Sequence, residues 1–192
     1  MVATTGSARL RQCGLTLVEL MVTISILAML FFLALPDFRA WIQNTRMRTV
    51  AEALQNGVRQ AQAEAVRRNR TVVFLLTNAE PGVGAVAQAN GSNWAMRALP
   101  LLPTEAAEFL RGGAFSDVAQ GVSIASPAAA ICFNPAGQQV AVPAEGCVPA
   151  VTNYDVTRAG AERRLRIVVA LGGRVRMCDP DKVLSATNPD GC

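Results

Sequence analysis

The chain has 192 residues, 51% of them hydrophobic, with 18 basic and 14 acidic side chains, five cysteines and no histidine. The missing histidine excludes an imidazole base or metal ligand, and Ser123 and Ser126 sit in no nucleophile elbow. With no glycine-rich phosphate loop either, the sequence argues against an enzyme. A net charge of +4 is too small to argue for a polyanionic partner, so the placement of the charges must carry any such case.

Residues 1–14 are polar and basic, with Arg9 and Arg11, and residues 15–35 form an apolar run interrupted by one charge, Glu19. At 1.5 Å per residue this run is long enough for a hydrocarbon core of about 30 Å, where an unpaired acid costs roughly 2.5–3.5 kcal/mol. Something must therefore neutralise Glu19. A secretory signal peptide needs a small-residue cleavage site after its apolar stretch, where Leu33-Ala-Leu-Pro-Asp37 stands instead. A lipoprotein built on Cys13 needs its apolar stretch before the cysteine. Arg9 and Arg11 favour a cytoplasmic N-terminus with the rest of the chain across the membrane.

Pro36 ends the apolar run and is expected to break the helix, because proline lacks a backbone donor. Beyond it, Met47, Val50, Leu54, Val58, Ala61 and Ala65 recur at spacings of three and four among charged neighbours, so residues 36–70 read as an amphipathic continuation. Gly57 costs this stretch about 1 kcal/mol relative to alanine. Its small-residue stripe suits packing on a head domain better than a coiled-coil dimer. After residue 70 the pattern turns strand-like at 71–77, 94–99, 122–125 and 131–133, with loops at 78–93 and 143–151 and a helical turn or two at 105–111. Glu105 and Glu108 then share a helical face, which solvation of a helix surface explains more simply than the remote reading of a membrane-anchored periplasmic enzyme. Residues 71–192 form a β-rich head, and the fold class is α+β.

Of the five cysteines, Cys132, Cys147, Cys178 and Cys192 follow the apolar run and allow three pairings. The sequence-local choice joins Cys132 to Cys147 and Cys178 to Cys192, closing two short loops worth roughly 3 kcal/mol each in the chain-entropy model. A zinc site is disfavoured, because no histidine and no C-x-x-C spacing is present; no metal and no cofactor are expected.

Residues 163–177 read as a β-hairpin. A three-residue loop, Leu171-Gly172-Gly173, pairs Ala170 with Arg174 and puts Leu165, Ile167, Val169, Val175 and Met177 on one face. Arg164, Arg166, Arg174 and Arg176 then share the other. Four like charges on one sheet face repel, so they need acidic neighbours such as Asp179 or Asp181, or a polyanionic ligand.

The junction Arg9-Leu-Arg-Gln-Cys-Gly14, followed by Leu15-Thr-Leu-Val-Glu-Leu20, resembles the prepilin leader of type IV pilins and type II secretion pseudopilins. Phe133-Asn-Pro-Ala-Gly137 and Gly173-Arg-Val-Arg176 resemble the F-x-P-x-G and G-R-x-R elements of the GspH/FimT branch. The resemblance implies a type IV pilin-like fold: a long N-terminal helix packed on an antiparallel β-sheet head. It implies that a prepilin peptidase cuts after Gly14 and methylates Leu15, a position where members usually carry phenylalanine. Glu19 would then compensate the free amine of a neighbouring subunit. The partners implied are other major and minor pilins, and the inner membrane before assembly, with a single pass and a periplasmic C-terminus. After assembly the subunit sits in a pilus or pseudopilus, and the branch implies a low-abundance minor pilin at or near the tip. A minor pseudopilin of the H type in type II secretion is the alternative. For DNA, the G-R-x-R element implies that Arg174 and Arg176 bind phosphates during natural transformation, with Arg166 and Arg164 as extensions.

Overall fold

The computed structural model describes residues 16–192, apart from the side chains of residues 33–37. The expected leader, the Gly14 and Leu15 cleavage site and Cys13 lie outside the described residues. The chain divides at Arg39/Ala40 into two units.

Helix α1, Leu17–Arg68, runs for 52 residues through both units. Thr16 starts it, its hydroxyl accepting the backbone N–H of Glu19 at 3.2 Å and so satisfying one of the donors left over in a first turn. Arg67 and Arg68 lie in the last turn, where cations complement the helix dipole, and Asn69 follows in the left-handed conformation with φ 52°. The helix assignment runs on through position 36, where proline deletes one backbone donor. In the first unit the helix exposes Leu17, Val18, Ile24, Leu27, Phe31 and other apolar side chains. Among the described residues no helix is long and apolar enough to cross a membrane.

The second unit adds β1 (Val72–Thr77), β2 (Asn93–Ala98), β3 (Glu108–Ala114), the short helix α2 (Phe115–Val118), β4 (Val122–Ala125) and β5 (Ala130–Phe133). A 3-10 turn at Pro143–Glu145 leads to β6 (Thr152–Arg158), β7 (Leu165–Val169) and β8 (Val175–Cys178). The strands form two antiparallel sheets of four, ordered β3-β2-β1-β5 and β4-β6-β7-β8. Met47, Val50, Leu54, Val58, Ala61 and Ala65 of α1 pack in one core with Phe74 and Phe133 of the first sheet and Tyr154, Ile167 and Val169 of the second. Gly57 has a packing reason: a Cβ there would stand 3.1 Å from the Phe74 ring, which stacks on Trp94.

β1 is buried on both faces because the outer face of its sheet carries a second core. Val73, Leu75, Ala95, Ala130 and Cys132 meet Cys147 and Ala85 there. The Cys132–Cys147 bridge lies inside it, and Cys178–Cys192 closes the C-terminal tail.

Two departures from expectation are instructive. The segment expected to be helical at 105–111 ends in β3, and Glu105 and Glu108 make separate ion pairs with Arg70, just past α1, and Arg68 in its last turn. β3 then satisfies its backbone against β2. The expected strand set also omits β6, although Thr152, Tyr154 and Val156 alternate as buried residues with half-buried Asn153 and Asp155, the period-two signature of a strand.

Candidate functional site

Two sets of residues carry the functional expectations. The first is Glu19, exposed in the opening turn of α1, with no hydrogen bond or ion pair to its carboxylate among the described residues. Its position complements the positive end of the helix dipole, yet around it stand exposed leucines, valines and isoleucines.

The second set is the arginine face of the β7–β8 hairpin. Ala170 donates to the carbonyl of Arg174 at 2.9 Å and Gly173 to that of Ala170 at 2.8 Å, while Val169 pairs with Val175 and Val168 with Arg176. The loop is therefore the three-residue one. Gly173 has φ +82°, and a Cβ there would overlap both the carbonyl oxygen of Gly137 and Gln62 Nε2. The F-x-P-x-G and G-R-x-R elements thus meet, with Gln62 of α1 donating to Gly137 O at 2.8 Å between them. Asn134 shapes the first element by accepting the N–H groups of Ala136 and Gln138 on its side-chain oxygen, both at 3.0 Å. Gln139 ties the loop down, its amide donating to the carbonyls of Val169 and Ala170. Arg59 of α1 reaches the carbonyl of Val175 at 3.0 Å.

On this pinned hairpin the four arginines differ. Arg166 lies directly across from Asp155 of β6 and grips it with two hydrogen bonds, at 2.6 and 2.9 Å. Arg164 grips Asp181 with Nε 3.0 Å from each carboxylate oxygen and Nη2 2.6 Å from one of them. That guanidinium holds the Asp181 carboxyl below its ordinary range, and the carboxylate raises Arg164 in turn. Arg176 donates to the carbonyl of Gly191 in the tail. Arg174 is exposed, and its guanidinium makes no hydrogen bond or ion pair among the described residues. The repulsion expected on this face is therefore relieved by two carboxylates, and the two forks expected to extend a phosphate surface, Arg164 and Arg166, are occupied. Sequence reasoning missed Asp155, Gln62, Gln139 and Gly191. Only Asp155 had a local signal, the alternation of β6; the others act through tertiary contacts.

The family model for the type II transport protein GspH matches residues 50–173, and that for the prokaryotic N-terminal methylation motif matches residues 9–35. The chain belongs to the GspH family. It is thus a pilin or pseudopilin structural subunit rather than an enzyme. The type IV minor pilin FimU of Pseudomonas aeruginosa shares its fold, with a TM-score of 0.54 and 16% identity over 74% of this chain and 98% of that one. GspH of E. coli (TM-score 0.47, 14% identity, 71% and 89% covered) and the minor pseudopilin EpsH of Vibrio cholerae (TM-score 0.46, 10% identity, 69% and 95% covered) are also similar. No curated relative matches the chain.

Proposed function

We propose that this GspH-family chain is a minor type IV pilin that enters a filament through α1 and presents its head at or near the tip. The supporting observation is the coincidence, within residues 9–35, of the methylation motif with a helix whose apolar side chains and single carboxylate find no partner among the described residues of their own chain. Such a surface needs lipid before assembly and other subunits after it. In this reading the peptidase cuts after Gly14, Leu15 becomes the methylated amine, and Glu19 meets the amine of a neighbour. Mass spectrometry of the native chain tests the first step: the expected mass starts at Leu15 with one added methyl, and retention of residues 1–14 overturns the reading. Glu19→Ala is expected to leave the head folded and block incorporation.

The family description itself favours a second reading, a minor pseudopilin of type II secretion. Deletion with complementation, scoring piliation and secretion side by side, separates the two; loss of secretion alone selects the pseudopilus.

DNA belongs to the pilus reading. Arg174 supports it, being an exposed guanidinium on a rigid loop beside Arg176, and guanidinium forks fit phosphates. The contact would be independent of sequence and weakened by salt.

A further inference from the structure

We infer that the disulfide-closed tail, residues 178–192, is an autoinhibitory cap on the arginine face, occupying guanidinium groups that a phosphate backbone would otherwise use. The inference rests on the DNA reading of that face and specifies how strongly the face binds. Two of the four arginines are held by the tail: Arg164 by the Asp181 carboxylate and Arg176 by the Gly191 carbonyl. A third, Arg166, is held by Asp155 of β6, which the tail does not control. The tail thus subtracts two of the three contacts that the face could offer with Arg166 paired, and leaves Arg174.

Its internal bonds fit a preformed lid. Asp179 donates its N–H to Asp190 O at 2.7 Å, Cys192 donates to the carbonyls of Asp179 and Lys182, and Lys182 Nζ lies 2.5 Å from the Asp190 carboxylate. The Cys178–Cys192 bridge fastens this lid to the end of β8. It also walls a cavity of about 210 Å³ whose other lining is Val168, Ala170, Arg174 and Arg176. Three aspartates against one lysine between residues 179 and 192 make the lid acidic, so its presence opposes a polyanion by charge as well as by occupancy.

The test uses the full chain in an uncharged detergent and a short mixed-sequence duplex DNA, with fluorescence anisotropy followed over a range of salt. Two variants remove the cap differently: Cys178→Ser plus Cys192→Ser opens the bridge, and Asp181→Asn releases Arg164 with the bridge intact. Every further phosphate that a freed guanidinium neutralises steepens the slope of log K against log salt by about 0.9. The expected change is therefore about 1.8 for the cysteine pair and about 0.9 for Asp181→Asn, each with tighter binding at low salt. Glu162→Gln removes one acidic charge outside the tail and is expected to leave the slope unchanged. Wild-type binding with unchanged affinity and slope in both cap variants overturns the cap and leaves the DNA reading standing, as does an equal steepening in Glu162→Gln. No binding by wild type or variants overturns both. Should the cysteine pair fail to fold, Asp181→Asn decides alone.

Discussion

Two stretches of α1 use the same helical backbone for opposite ends. From Leu17 to Phe32 its apolar residues are exposed, and the one carboxylate among them has no described partner. From Met47 to Ala65, Met47, Val50, Leu54, Val58, Ala61 and Ala65 are all at most 2% exposed. The first stretch is apolar nearly all round and leaves those side chains exposed, whereas the second is apolar on a stripe and buries it in a core. The buried stretch stabilises the head; the exposed one is available to molecules other than its own chain.

The largest test of this contrast is a pair of truncations. Leu54→Ala is expected to destabilise the head by about 2–5 kcal/mol, whereas Ile24→Ala is expected to stay within about 0.5 kcal/mol, both read by denaturant melts of the full chain in detergent. A comparable loss in Ile24→Ala would break the comparison. Next comes Gly173→Ala, which forces a left-handed alanine and drives its Cβ into Gly137 O and the Gln62 amide of the buried stretch. A loss of about 2–4 kcal/mol is expected by the same melts; a neutral result would mean that the hairpin is not seated on α1 as described.

A smaller effect of opposite sign is expected at Tyr154. Its ring packs edge-on against Phe74 in the core with α1, its hydroxyl is buried without a hydrogen bond among the described residues, and burial alone raises its pKa. Tyr154→Phe should therefore be neutral or stabilising by about 1 kcal/mol; a clear loss would reveal a partner, such as an ordered water. The smallest effect is electrostatic, at the end of the buried stretch. Hydrogen bonds from Arg67 first and Arg68 second hold Glu64 below its ordinary value of 4.5. A depressed carboxylate contributes stability above its unfolded pKa and loses it as pH falls through the folded one. The melting temperature should accordingly decline faster below pH 4.5 in wild type than in Glu64→Gln.

Much of this was legible along the chain. Local periodicity exposed the buried stripe of α1, β1 and the hairpin, because burial at spacings of three and four, or of two, is imposed by backbone geometry that neighbouring residues share. The hairpin loop followed from a face conflict that one loop length resolves. At residues 105–111 the contacts that decide the structure are distant in sequence. Glu105 and Glu108 carry helical spacing, yet the segment pairs with β2 as a strand and the two acids meet separate arginines 35 and 40 residues away. Pro36 is a breaker by local rules and lies within a continuous helix.

The sequence by itself determined the family, the long helix with its lone acid and the arginine-bearing hairpin, since each is a pattern of adjacent or regularly spaced residues. Only the tertiary structure decided which arginines are free. Asp155 and Asp181 reach their partners across 11 and 17 residues, and Gly191 reaches Arg176 through a tail folded back by a disulfide. Charge is written into the chain residue by residue, but its neutralisation depends on distances of a few ångströms that exist only after folding.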